Sequence, residues 1–176
     1  MTLRSGPSSI LENTKPTHLC SLAEWSASHI KAVFESASDE ESSHAIAATF
    51  ATDIDATVNG KQVGLAEIKQ MVRTLRGCGK SALRVRWLPG SMVEVPLDES
   101  ARAGTFAGVY AISGVKRTIS SGDNGEPCEV QLERRKVVIV RIQSTSEDPA
   151  YDSRRIVALD FAASDTEILQ RGRSFL

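Results

Sequence analysis

The chain has little of what marks several functional classes. Cysteine occurs three times in 176 residues. Cys20, Cys78 and Cys128 are far apart, odd in number and in no Cys-x-x-Cys pair, which argues against both a disulfide framework and a zinc site. Reduced thiols and no metal centre are therefore expected. Excess charge is also missing, with 21 Lys plus Arg against 22 Asp plus Glu, so nothing recommends nucleic acid or an anionic membrane as a partner. Aromatic residues make up 5% of the chain, and none interleave with a basic run as in nucleic-acid-binding surfaces. No apolar run approaches the roughly 18 residues of a membrane helix, and the first twenty residues lack a secretory apolar segment. A soluble, cytoplasmic protein is expected. The final Ser-Phe-Leu differs from a peroxisomal address by having Phe175 where that signal is basic.

What is present reads as one domain. A chain of this length can bury about 70% of the surface its unfolded form exposes. Residues 1–20, rich in Ser, Thr and Pro with no sustained period, read as a flexible N-terminal arm. The domain is expected over 21–163, with a tail over 164–176. Ser21 with Glu24 forms a capping box, followed by Leu22, Trp25, Ile30, Val33, Phe34 and Ala37 at helical spacing. A second box, Ser38 with Glu41, opens a shorter helix with Ile46, Ala47 and Phe50 on one face. Ile54, Ala56 and Val58 then alternate with polar residues before Asn59-Gly60, the pair best suited to a tight hairpin. Beyond Gly64, the residues Leu65, Ile68, Met71, Val72 and Leu75 define a third helix, closed by Gly77.

Four later runs read as long, mainly antiparallel strands: ALRVRWL, GTFAGVYAI, VQLERRKVVIVRIQ and RRIVALDFA. The intervening stretches 89–103, 116–128 and 144–153 read as loops, with Pro89 and Pro96 interrupting strand. In the last two strands both faces are largely apolar, so something should cover each side. Helices cover one face, and a second copy packed sheet to sheet would cover the other, which predicts a homodimer.

Several side chains are candidates for chemistry. His29 falls between Trp25 and Val33 on the apolar arc of the first helix, near Ser26, where a histidine serves either as acid or base or as a hydrogen-bonded core residue. Arg141 and Asp160 are charged residues inside apolar strands. A hairpin centred between Ala150 and Tyr151 would set them directly opposite as a cross-strand ion pair, either orienting a ligand or bridging the scaffold. Trp25, Trp87, Phe106 and Tyr110 are candidate lining for an apolar cavity, or simply core.

The run FATDIDATVNGKQVGLAEIKQMV, from Phe50 to Val72, resembles the nuclear transport factor two-like, or SnoaL-like, superfamily, and the likeness extends from about Ser21 to Ala163. The resemblance implies an α+β fold, with three N-terminal helices packed on a strongly curved, mainly antiparallel sheet in a cone-like barrel. It also implies frequent dimerisation and cofactor-independent proton-transfer chemistry, such as isomerisation, cyclisation or dehydration of a small apolar or amphipathic molecule. The ketosteroid isomerases share the Asp-Ala-Thr-Val wording, but where they carry the catalytic carboxylate this chain has Asn59 and Gly60. Asp55 is expected to bond backbone N–H groups at the helix-to-strand corner. The histidine and tyrosine set of scytalone dehydratase is incomplete here, and Arg141 lacks the acidic neighbours of the limonene epoxide hydrolase pattern. On the resemblance, His29 or Asp160 would move the proton and Arg141 would position Asp160 or an anionic group. The alternative is a non-catalytic interaction module with a filled core, told apart by the absence of a cavity of roughly 300 Å³ or more.

Overall fold

Local signals in the chain decide where its elements begin. In the computed structural model, which describes residues 19–77, 82–121, 126–148 and 150–168, α1 (Leu22–Glu35) starts at Ser21. Ser21 Oγ accepts from Glu24 N at 3.1 Å, and Glu24 Oε2 accepts from Ser21 N at 3.3 Å, satisfying two otherwise orphaned amides. Ser38 caps α2 (Asp39–Thr49) through Glu41 N. The buried side of α2 is Ser42, Ile46 and Thr49, whereas Ala47 is exposed and Phe50 already belongs to the next strand. This corrects the expected face and is possible because Thr49 returns its hydroxyl to Ala45 O at 2.6 Å.

Strand β1 (Phe50–Val58) turns at Asn59-Gly60, both with positive φ, into β2 (Lys61–Val63). This is the conformation that makes Asn-Gly a hairpin signal. Helix α3 (Leu65–Arg76) follows, with Ile68, Val72 and Leu75 buried and Gly77 at its C-terminus. Arg76 crosses from α3 to donate to Phe34 O, Ser36 O and Asp39, so one guanidinium ties the ends of all three helices together.

The rest is sheet: β3 (Arg84–Trp87), β4 (Val93–Pro96), β5 (Gly104–Ser121), β6 (Glu126–Ser144) and β7 (Arg154–Glu167). Strand β4 lies within a stretch expected to be loop. It pairs with the start of β5 at the sheet edge, where Pro96 ends it opposite Gly104, an edge position that proline tolerates. Strands β5 and β6 also extend into the expected loop 116–128, pairing as far as Ser121 with Glu126. Residues 1–18 of the arm and 169–176 of the tail, together with Cys78, lie outside the described residues. Cys20 is a free, exposed thiol.

The sheet order is β2-β1-β7-β6-β5-β3, with β1 and β7 parallel and the other pairs antiparallel. The sheet is curved and open. A bulge between Ile112 and Val115 interrupts β5. It is built on Gly114, whose φ of 84° and 2.7 Å approach from a would-be Cβ to Ala82 O exclude a larger residue, and such bulges bend a sheet. The helices cover the face that carries Phe106, Tyr110, Val138, Val140, Leu159 and Phe161. No helix among the described residues is long and apolar enough to cross a membrane.

Candidate functional site

Strand parity carries one charged side chain into the core. On β6, Leu132, Lys136, Val138, Val140 and Ile142 are buried while Arg135, Val137, Ile139 and Arg141 are exposed. Lys136 is only 6% exposed. Its ammonium lies 4.4 Å from the centroid of the Phe161 ring, 4.9 Å from Phe34 and 5.9 Å from Tyr110. It makes no hydrogen bond or ion pair among the described residues.

The three ring faces attract a cation. The loss of water with no counter-ion works the other way and prevails, pushing the Lys136 pKa down to about 7; nearby Arg134 adds to the fall and Asp165 opposes it. Burial pushes the Tyr110 hydroxyl upward, so it stays protonated.

Lys136 borders an internal cavity of about 30 Å³ between α1, α3 and the sheet, room for about two waters. Apart from Lys136, only Ser26 and Tyr110 bring polar side-chain atoms to a lining of aliphatic and aromatic groups. Ser26 Oγ is buried with no hydrogen-bond partner among the described residues. Met71 and Leu75 line this cavity and also an open groove of about 380 Å³ running between α3 and β5. Two α3 side chains therefore separate the interior from solvent.

The residues anticipated from sequence are distributed over three places. Phe106 and Tyr110 line the cavity. Trp25 and Trp87 do not. Trp87 packs behind, at 5.4 Å from Phe106 and 4.7 Å from Tyr110, over the space left by Gly108; its Nε1 is buried without a partner among the described residues.

Trp25 instead stacks on His29 at 4.1 Å and takes the Arg154 guanidinium on its ring at 5.5 Å. His29 points away from the cavity, placing Nδ1 3.2 Å from Thr49 Oγ1. Ser26, expected beside it, faces the interior. Burial lowers the His29 pKa, Asp152 raises it, and Arg155 and Arg154 lower it. Arg154 is fully buried as well. It is paired with Asp152 at 2.7 Å and donates to Cys20 O at 2.9 Å and Ala101 O at 3.1 Å.

Arg141 and Asp160 do not oppose one another. Ile139 faces Asp160 and Arg141 faces Ala158, because the turn between β6 and β7 sets a register two residues away from the expected one. Both charged residues lie on the outer, exposed sheet face, where the Asp160 carboxylate accepts from Thr57 Oγ1. Asp55, also exposed, accepts from Gln62 Nε2 at 2.8 Å across the β1–β2 hairpin rather than from corner amides.

Element order, sheet order and three helices against the inner face of a curved, open sheet agree with the architecture anticipated from Phe50–Val72. The fold is α+β, with three helices packed on a mixed, open seven-stranded sheet. No family model matches the chain, and no curated protein matches it in sequence. Among solved structures, the chain is similar to a SnoaL-like family protein from Agrobacterium tumefaciens, proposed to be an isomerase. It is 12% identical, with 81% of this chain and 97% of that one covered and a TM-score of 0.44. A nuclear transport factor two-like protein of unknown function from Pseudomonas aeruginosa is 15% identical over 80% of this chain and 94% of its own, with a TM-score of 0.43. The S. rosetta CaMKII hub is also 15% identical, over 81% and 92%, with a TM-score of 0.42.

Proposed function

We propose that the cone interior binds a small, mainly apolar molecule that presents one acceptor or electrophilic group to Lys136. The observation that carries this reading is an amine with no hydrogen-bond or ion-pair partner among the described residues, held over three aromatic rings at the edge of a mainly apolar cavity, the combination of desolvation and convergent polar groups that marks binding and catalytic sites. The cavity of about 30 Å³ is well under the roughly 300 Å³ of a drug-sized site. The occupant, or the part of it that enters, therefore has only a few heavy atoms. If turnover occurs, Lys136 replaces His29 and Asp160 as the proton-transfer group, because an amine that is half neutral near pH 7 can both take and return a proton.

Native mass spectrometry of protein purified from cells, followed by identification of any released molecule, tests the reading. A stoichiometric small molecule retained by the wild type and lost from Lys136→Met supports it. Equal retention by the variant refutes it.

The small cavity and the outer face together favour a second reading, a self-associating interaction module. Val137 and Ile139 on β6 are 51% and 53% exposed, and Val93 and Val95 on β4 are 60% and 62% exposed. These valines and isoleucine share one side of the sheet through Ala107 and Thr105 of β5. A second copy is the fitting occupant, since this face carries both Arg141 and Asp160 and so complements itself in charge. Light scattering on Ile139→Lys checks it: the expected result is a dimeric wild type and a monomeric, folded variant, and a monomeric wild type removes the reading.

A further inference from the structure

We propose that Lys136 is a nucleophilic amine that condenses with a small aldehyde or ketone to form an imine inside the cone. The inference rests on the ligand-binding reading above and names the chemical class of its ligand. Three observations converge on it. The Lys136 ammonium has no carboxylate, carbonyl or hydroxyl partner among the described residues, so its nitrogen is not engaged in holding the fold together. It lies among Phe34, Tyr110 and Phe161 at 4.9, 5.9 and 4.4 Å, on a residue that is 6% exposed. It borders a void that accommodates about two waters, enough for the carbonyl group itself of a small aldehyde or ketone. Entry is through the groove beside α3, past Met71 and Leu75, which line both spaces. Methionine is well suited to such a place because its unbranched side chain changes shape at little cost.

The chemistry is balanced without a cofactor, oxidant or metal. The neutral amine adds to the carbonyl carbon, forming a C–N bond as the carbonyl π pair moves to oxygen. A proton passes from nitrogen to that oxygen, giving a carbinolamine. A second proton assists the C–O bond to break, water leaves, and nitrogen loses its remaining proton as C=N forms. One water is released for each imine, and its hydrolysis reverses every step. Tyr110 and Ser26 supply the other two polar side chains of the lining, and Tyr110 keeps its proton because burial raises its pKa. Nucleophilic lysines require a neutral amine near pH 7, and an apolar pocket is one way to provide it. With a pKa of about 7, about half of Lys136 is neutral at that pH, against roughly one part in three thousand of an ordinary lysine. The charged groups that bear on it are Arg134 from β6, which favours the neutral amine, and Asp165 from β7, which disfavours it.

Reductive trapping distinguishes this chemistry from simple binding. The full chain is treated at pH 7 with limiting acetaldehyde and sodium cyanoborohydride, and the site of ethyl addition is mapped by peptide mass spectrometry. In parallel, propan-2-ol, which has no carbonyl, is titrated while the methyl resonances of Met71 and Ile30 are followed by NMR. The expected result is ethylation of Lys136 roughly ten-fold or more ahead of Lys31, Lys61, Lys69 and Lys116, together with methyl shifts on titration. Methyl shifts with no preference for Lys136 would overturn the imine and leave the binding reading intact. Neither shifts nor preferential trapping would overturn both. Both readouts use the wild-type protein, so the outcome does not depend on a variant folding.

Discussion

Replacing Lys136 with Met keeps the length and apolar stem of the side chain and removes only the amine, so the variant reports what burying that amine costs. The folded-state pKa of about 7, against an ordinary 10.5, corresponds to about 5 kcal/mol of differential stabilisation between the two protonation states. Between these values the unfolded chain holds the proton and the folded chain releases it. Wild-type stability therefore rises with pH through this window, by about 1.4 kcal/mol per pH unit, and below pH 7 the full penalty applies. Lys136→Met lacks this dependence. After allowing about 1 kcal/mol for imperfect repacking, the variant should be about 3 kcal/mol more stable than wild type at pH 7. Near pH 10 the advantage should be gone. Equilibrium urea unfolding at half-unit pH intervals from 6 to 10, at one protein concentration to hold any self-association constant, measures both curves, and their difference cancels the titration of every other group. Parallel curves from pH 7 to 10, or a variant less stable than wild type at pH 7, would refute the desolvated amine and with it the chemistry assigned to Lys136.

Two further outcomes follow from groups outside the cavity. Arg154→Met removes the guanidinium from the carbonyls of Cys20 and Ala101 and from Asp152, which is exposed and keeps the residue-154 N–H; two carbonyls losing their donor predicts a loss of about 1–3 kcal/mol, and denaturant midpoints that match wild type would contradict it. Gly114→Ala forces a methyl group against Ala82 O at a φ of 84°, so a loss of more than about 1 kcal/mol is expected from combined strain and clash, measured by thermal melting against Gly90→Ala, where the added methyl meets nothing and only the backbone conformation is strained.

Much of the architecture was legible because its signals are local. The Ser21-Glu24 box, the Asn59-Gly60 turn and the apolar stripe of α3 each act over a few residues, and each is where the sequence places it. Strand β4 was hidden because Pro89, Gly90 and Pro96 flank only three alternating residues, and it is held by β5 rather than by its own preferences. Lys136 was hidden for a different reason. Val137, Ile139, Val138 and Val140 make both parities of β6 apolar, so periodicity could not say which side faces the helices. The overlooked signal was that Lys136 shares parity with Val138, Val140 and Ile142 toward the end of the strand, where Arg135 and Arg141 take the other side, although Arg134 also falls on the Lys136 side. The Arg141–Asp160 pairing failed on register, which a long turn does not fix. His29 lay on the apolar arc as expected, but that arc is wider than the cavity, and His29 packs on Trp25 of its own helix and Thr49 of α2 instead.

The Arg154 clasp has a consequence for how the chain is made. It joins Cys20, just ahead of the α1 cap, the turn between β4 and β5, and the first residue of β7. Strand β1 likewise waits for β7, its parallel neighbour from about a hundred residues later. During synthesis from the N-terminus, the helices and the β1–β2 hairpin emerge long before the strand that locks them. Contacts so distant along the chain form slowly. Until β7 leaves the ribosome, the apolar side of α1 and the edge of β1 that β7 pairs with lack their partner, so truncation within β7 is expected to be far more damaging than the few residues lost would suggest.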